Sequence, residues 1–181
     1  MIFYTGDLHF GHGNVIRYDN RPFKDVDEMD RLLIELWNGR VQKNDDIYIV
    51  GDFAHKSKRT EEWYLKQLKG RKHLIIGNHD EKILHDDKLM SYFESVHNIV
   101  KICDEGKNIC ICHYPMAEWE GFYSGHYHIY GHIHNKKEGA YKYMAQFENA
   151  LNAGCMINNY MPVTFKELVL NNQVFNNGTS L

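Results

Sequence analysis

The chain of 181 residues is 43% apolar and 25% charged, with a net charge of −3 when its histidines are neutral. That balance excludes an intrinsically disordered chain, and the charge excludes a dedicated nucleic-acid binder with a broad basic face. The longest apolar runs are strand-sized, too short to span a membrane.

Taken in order, Ile2 to Tyr4 reads as a strand that starts the chain without a signal peptide, and the glycine-rich loop Thr5 to Asn14 follows it. Asp25 can cap a helix to Arg40, with Val26, Met29, Leu32, Leu33, Leu36 and Trp37 on its apolar face. Asp46 to Val50 is a strand ending in Gly51-Asp52. Thr60 can cap a second helix to Lys69, with Trp63, Leu65 and Leu68 inward and Gly70 ending it. Lys72 to Ile76 is a strand ending in Gly77-Asn78-His79-Asp80, and Glu81 to Leu89 reads as helix. Val96 to Cys103 and Lys107 to Cys112 form a hairpin turning at Asp104-Glu105-Gly106. His113 follows that hairpin. Tyr127 to Tyr130 is a strand ending in Gly131-His132-Ile133-His134, and Phe147 to Cys155 is another. Thr164-Phe165-Lys166-Glu167 is a capping-box pattern opening a short helix. Asn171 to Gly178 reads as a last turn or a frayed end. Strands alternating with helices, then strands in hairpin order, predict an α/β domain over residues 1–181 with helices covering a mixed sheet or two sheets.

Cys103, Cys110, Cys112 and Cys155 contain no CxxC pair. Reduced thiols are expected, buried at Cys110 and Cys112, and with them a cytoplasmic setting. Histidine is the unusual residue, with 12 copies. Many sit beside Gly, Asp or Pro at strand ends. Five strand ends carry metal-ligand types: Asp7 and His9, Asp52, Asn78 and His79, His113, and His132 with His134. In open α/β sheets such ends share one edge. Imidazole, carboxylate and amide oxygen together suit first-row divalent metals: manganese first, with iron, zinc, nickel and cobalt also suited. About seven ligands are too many for one tetrahedral zinc and suit two metals sharing a carboxylate. The i, i+2 spacing of Asp7 and His9, and of His132 and His134, puts both members of a pair on one side.

In order, Asp7-x-His9, Gly51-Asp52, Gly77-Asn78-His79-Asp80, His113 and Gly131-His132-x-His134 resemble the motifs of calcineurin-like metallophosphoesterases, from residue 5 to residue 134. The resemblance implies a four-layer α-β-β-α sandwich with two mixed sheets, and hydrolysis of phosphoesters by a metal-activated hydroxide. It implies Asp7, His9 and His134 on one metal, Asn78, His113 and His132 on a second, and Asp52 between them. It places His79 beside the metals as a catalytic group, with Asp80 either orienting that imidazole or capping the next helix. The run after Asp52, Phe53-Ala54-His55, lacks the aspartate and arginine of the protein-phosphatase branch. That departure, with the short chain, points to compact bacterial and phage-type members. A small phosphoester, such as a nucleotide diester, is the expected substrate. A phosphomonoester is the alternative, and a non-catalytic binding module the third reading. No stable nucleic-acid or membrane partner is expected.

His12, Asn14, Arg17 and Tyr114 are the candidate substrate contacts. His12 and Asn14 could instead make turn hydrogen bonds. Arg17 and Arg21 could grip a phosphate or lie on the surface. His55 reads as surface or as a neighbour of the cleft, the aromatic stretch Trp119 to Tyr123 as packing or a base platform, and His128 as structural.

Overall fold

The structure, a computed structural model, describes residues 1–178; residues 179–181 of the expected domain lie outside the described residues. Two four-stranded sheets face one another. The first holds β1 (Ile2–Thr5), β2 (Asp46–Val50), β3 (Arg71–Ile75) and β4 (Phe93–His97), in that order and all parallel. The second holds β5 (Ile99–Asp104), β6 (Lys107–Cys112), β7 (Tyr127–Tyr130) and β8 (Ala150–Asn152). There β5 and β6 pair antiparallel while β6, β7 and β8 run parallel, so the mixed pairing belongs to the second sheet alone. The helices are α1 (Gly13–Tyr18), α2 (Val26–Arg40), α3 (Glu61–Leu65), α4 (Glu81–Leu84), α5 (Asp87–Met90), α6 (Tyr141–Met144) and α7 (Phe165–Asn177).

Strand alternation divides the core. Phe3, Ile47, Ile49 and Leu74 pack outward with Met29, Leu33 and Trp37 of α2. Tyr4, Val50 and Ile75 turn the other way and meet Ile109, Ile111, Ile129 and Leu151 between the sheets. Cys110, Tyr130 and Ala150 face the far side, under Trp119 and Met144. The inner strands thus have two apolar faces, as expected where a sheet is covered on both sides, while edge strand β5 exposes Ile99, Lys101 and Cys103.

The α2 bounds and its Asp25 cap are those the pattern predicts; the Asp25 carboxylate accepts from Glu28 N at 2.9 Å. Elsewhere tertiary contacts move the boundaries. α3 stops at Leu65, not Lys69, because α2 takes its last backbone groups. Asn38 donates to Gln67 O and accepts from Lys69 N, and Trp37 Nε1 donates to Lys69 O. Trp63, expected inward, is exposed beneath the Arg59 guanidinium. The expected helix over Glu81 to Leu89 is two short ones, because Asp86 caps the second by accepting from Lys88 N and Leu89 N. Val96 and His97 belong to β4 and the first sheet, so the hairpin's first arm begins at Ile99. Its Glu105-Gly106 turn has positive φ at both residues, the geometry that matches strand twist. The expected strand over Phe147 to Cys155 shrinks to β8.

The Asn-rich tail is not frayed. It forms the second half of α7, a helix of 13 residues, and Asn171 and Asn172 are buried. Asn172 accepts from Asn152 N and donates to Asn152 O, at 2.8 and 3.0 Å, substituting for a neighbouring strand along β8. The Thr164 capping box forms, with Glu167 accepting from Thr164 N at 2.8 Å.

His128 is structural. It is wholly buried, with Nδ1 donating to Cys110 O and Nε2 accepting from Met116 N. Burial lowers its imidazole from the usual 6.5 to about 4. The unfolded chain therefore binds one more proton than the fold between those values, so this contribution is present above pH 6.5 and is lost as the pH falls toward 4. Urea titrations at pH 7 and pH 5 should show His128→Gln removing this group's share of the loss, about 2 kcal/mol over that interval. An unchanged pH slope in the variant would contradict the assignment.

Candidate metal centre

Backbone bonds gather the strand-end loops. Asp7 N donates to Gly51 O, His9 N to Asp52 O, and Gly131 N to His113 O, at 3.1, 3.0 and 2.9 Å. All seven candidate ligands consequently meet at one edge of the two sheets. Asp7, His9, Asp52 and His134 can bring one donor atom each within 4.8 Å of one another. Asp52 Oδ2 is 3.6 Å from His9 Nε2 and 3.6 Å from His113 Nε2, midway between two groups of donors. On the far side, Asn78 Oδ1 lies 3.2 Å from His113 Nε2 and 3.0 Å from His132 Nδ1.

Asp7, His9, Asp52, His132 and His134 all have φ between 52° and 68°. The left-handed region costs an L-residue about 1–2 kcal/mol. Five such residues in one cluster form a reservoir of strain, which is characteristic of functional sites. Two glycines make the close approach possible. A Cβ on Gly51, itself at φ 78°, would run into the His113 ring, and one on Gly77 into the Asp52 carboxylate. Gly51→Ala should therefore displace His113 and destabilise the protein by about 2 kcal/mol or more. Urea denaturation of the metal-free variant tests this; a change below about 0.5 kcal/mol would show that the loop can yield.

The donor set fits divalent cations and leaves defects without them. Burial, with His134 and Arg21 nearby, pushes the His9 imidazole far below its usual range, so it carries no balancing charge for Asp52. His134 Nδ1 donates to both oxygens of Asp19 at 2.8 Å, which in the neutral ring leaves Nε2 as a bare lone pair. That lone pair faces His9 Nε2 at 3.1 Å. If His9 carries its proton on Nε2, its buried Nδ1 is a bare acceptor; if on Nδ1, two lone pairs oppose one another. His9 Nδ1 and Asp7 Oδ2 are in fact both buried without a hydrogen-bond partner. His113 Nδ1 donates to Val50 O, so its Nε2 also turns a lone pair toward the Asp52 carboxylate. Burial, only partly offset by His134 and His113, raises the Asp7 carboxyl to about 6. Cations between these donors would resolve each defect.

Two supporting residues escaped the sequence reading. Arg21, expected on the surface or at a phosphate, is buried and contacts no cleft. Its guanidinium donates to Asp19, Asp7 O and Leu8 O. Asp19, also buried, receives Arg21 on one side and His134 on the other. Burial favours the neutral Asp19 carboxyl, but His134 and Arg21 outweigh it and lower its pKa. Burial likewise disfavours the charged His134 imidazole, and the Asp19 contact reverses that. A carboxylate holding the second nitrogen of a ligand-type histidine fixes its tautomer and orientation. The signal available was the paired Asp19 and Arg21 two residues apart, which resembles an ordinary loop.

Asp80 stands at the N-cap position of α4, but its carboxylate makes neither of the bonds expected of it. Its carboxylate accepts from Gly77 N, Asp52 N and Phe53 N, at 2.8, 2.9 and 2.9 Å, and makes no cap bond to α4. It ties the Asp52 loop to the Gly77 loop and does not bond the His79 imidazole. His79 lines the cleft, its backbone N–H donating to Asp52 Oδ1 at 2.9 Å and its ring 3.9 Å from that of His55.

The cleft encloses about 360 Å³, lined by ligand candidates with His12, Asn14, Tyr18, His55, Lys56 and His79. His12 and Asn14 thus reach it as expected, and His55 stands in the cleft wall. Tyr114 is exposed at the rim, 4.7 Å from the His132 ring. Arg17 lies over the Tyr18 ring, outside the lining. Trp119 is buried packing, its Nε1 bonded to His126 O.

Comparison with known proteins agrees. A protein of Methanocaldococcus jannaschii described as uncharacterized, MJ1445, is 30% identical over 171 residues, which cover 93% of this chain and 89% of that protein. The gene 66 protein of Mycobacterium phage D29 is 27% identical over 161 residues, covering 75% of this chain and 79% of its own length. A protein of unknown function from Aquifex aeolicus, AQ665, superposes with a TM-score of 0.72 at 26% identity, covering 92% of this chain and 96% of that one. The calcineurin-like phosphoesterase family model matches residues 1–117, which include Asp7, His9, Asp52, Asn78, His79 and His113. His132 and His134 lie beyond that match, yet the fold brings them to the same donors. With the paired sheets and the buried donor cluster, this match makes the chain a member of the calcineurin-like phosphoesterases, built for metal-dependent phosphoester chemistry.

Proposed function

We propose that the protein is a phosphodiesterase acting on a nucleotide or a similar small diester, with two divalent ions, manganese first, as its cofactors. Two donor groups on either side of Asp52 Oδ2, in a cleft with exposed Asn78 and His132 at its mouth, carry this reading. A diester has substituents on both sides of phosphorus, and an open mouth accommodates both. Asp7, His9 and His134 would hold one ion, Asn78, His113 and His132 the other, and Asp52 both. Ions bound there would supply Lewis acidity toward phosphoryl oxygens and a lowered water pKa.

The rest falls to the chain's own side chains. Asp52 Oδ1 fixes the His79 backbone, and the His55 ring backs the His79 imidazole. So held, His79 can donate a proton to the departing oxygen. Asp80 keeps the two loops in register. The cysteines are free, and burial raises Cys110, Cys112 and Cys155. That supports a reducing, cytoplasmic setting, and among the described residues no helix is long and apolar enough to cross a membrane.

The test uses metal-stripped protein reloaded with manganese, comparing bis(p-nitrophenyl) phosphate with p-nitrophenyl phosphate. Faster diester cleavage is expected; faster monoester cleavage would make the protein a phosphomonoesterase, and no cleavage with two metals bound would favour a binding module. His79→Gln should retain both metals and lose about 10²–10⁴-fold in turnover on esters with poor leaving groups. Undiminished turnover on such an ester would remove His79 from the chemistry.

A further inference from the structure

Beside the cleft lies a second cavity of about 290 Å³, and the two share His12, Asn14 and Lys56 in their walls. Beyond Lys56 the second cavity carries Ser57, Lys58 and Arg59. We infer that this cavity binds a second phosphate of the substrate, the one next to the scissile phosphate in a nucleotide chain. This rests on the phosphoesterase reading above and narrows its substrate class.

The charges in the cavity are unequally committed. Asp30 is buried, with one oxygen accepting from Gly11 N at 2.9 Å and the other from Tyr64 OH at 2.7 Å. Asp27 accepts from the Arg59 guanidinium at 3.0 Å. Among the described residues the ion pairs inside this cavity run from Arg59, to Asp27 and to Asp30. Lys56 and Lys58 remain as uncommitted ammonium groups beside a cleft that already suits phosphate. A cation that is not neutralised by its neighbours is available for an anion of the ligand.

The backbone carrying these lysines is fixed. Lys56 has φ 48°, the same left-handed strain found in five of the candidate ligands. Such strain persists only where the surroundings enforce it. Here His55 N bonds Phe10 O at 3.2 Å, and Phe10 and Ala54 form a bridge. Ser57 Oγ is 2.8 Å from Tyr64 OH, and a Cβ on Gly11 would collide with Ser57. The loop bearing Lys56 is therefore locked against the segment that bears His12 and continues into α1, which holds Asn14.

A third feature gives the ligand its nucleotide character. Tyr18 lines the metal cleft yet is 60% exposed. Arg17 lies over one face of the ring at 5.5 Å, and the exposed remainder is a stacking surface for a base. Tyr18 stands 6.4 Å from the ring of His12, which the cleft and the second cavity share. A base on Tyr18, a scissile phosphate at the donor cluster and a neighbouring phosphate in the Lys56–Lys58 cavity would fill the site.

Calorimetry with the manganese-loaded protein tests this using three ligands: thymidine 5′-phosphate, thymidine 3′,5′-bisphosphate and thymidine 5′-diphosphate. The bisphosphate should bind about 10-fold more tightly than the monophosphate, with an advantage that shrinks as salt rises. Lys58→Ala should cut that advantage to less than about 2-fold, and Lys56→Ala should do the same. Tightening by the diphosphate instead of the bisphosphate would assign the second phosphate to a polyphosphate and keep the subsite. No discrimination, or discrimination surviving both variants, would overturn the inference. The readout is binding, so it separates from the functional reading. A protein that fails to cleave diesters but keeps the lysine-dependent discrimination would refute only the phosphodiesterase proposal.

Discussion

Asp52→Asn should retain fewer metal ions per chain than the natural protein under the same conditions, and should lose phosphoester hydrolysis with them. The reason is the position of one oxygen. Asp52 Oδ2 is equidistant, at 3.6 Å, from His9 Nε2 and His113 Nε2, so both donor groups depend on its negative charge. Asparagine preserves the shape and keeps an oxygen that can accept from the His79 backbone N–H, as Asp52 Oδ1 does at 2.9 Å. The Asp80 carboxylate still holds the loop through Asp52 N and Phe53 N. The substitution therefore removes charge with little disturbance of the backbone. Affinity should fall at least about 100-fold, the upper range for residues that only support a ligand. Metal analysis after exhaustive dialysis is the measurement, with circular dichroism as the check on folding. A folded variant with both ions at full occupancy would refute the bridging role.

Arg21→Met should cost about 3–5 kcal/mol of stability, the range for breaking a buried ion pair from one side. Arg21 is buried and donates to the Asp19 carboxylate at 3.0 Å and to the Asp7 and Leu8 carbonyls at 2.9 Å each. Methionine fills similar space but leaves a buried carboxylate with only His134 beside it, the Leu8 carbonyl without its donor and the Asp7 carbonyl with only the Cys155 thiol. Because Asp19 orients His134, metal binding should weaken as well. Asp19→Asn separates the two effects. It removes the charge that receives Arg21 while an amide oxygen still accepts from His134 Nδ1. Urea denaturation of metal-free protein gives the stability change, and calorimetric metal titration gives the affinity. A stability loss below about 1 kcal/mol for Arg21→Met would mean that water replaces the guanidinium, and the buried-clamp account would fail.

How legible the protein is in its sequence depends on how locally each feature is specified. The α2 helix, β2, the Glu105-Gly106 turn and the Thr164 capping box are written in a few adjacent residues, through apolar spacing, a cap or a φ preference. The donor set was also legible, because its residues recur at strand ends and parallel strands bring those ends to one edge. The sequence by itself thus determined these elements, the family resemblance and the candidate ligands. Features that depend on distant partners were not legible. Helix α3 ends where Asn38 and Trp37 of α2 claim its carbonyls, and the tail asparagines are helical because Asn172 completes the edge of β8. Asp80 looks like a partner for the histidine beside it, yet its three hydrogen bonds hold two loops together. Arg21 looks like a surface cation, yet it clamps the Asp19–His134 pair. Hydrogen-bond partners of buried polar groups are chosen by proximity in space, and desolvation makes that choice strict. Tertiary structure alone therefore decided which polar residues hold the donor cluster in place.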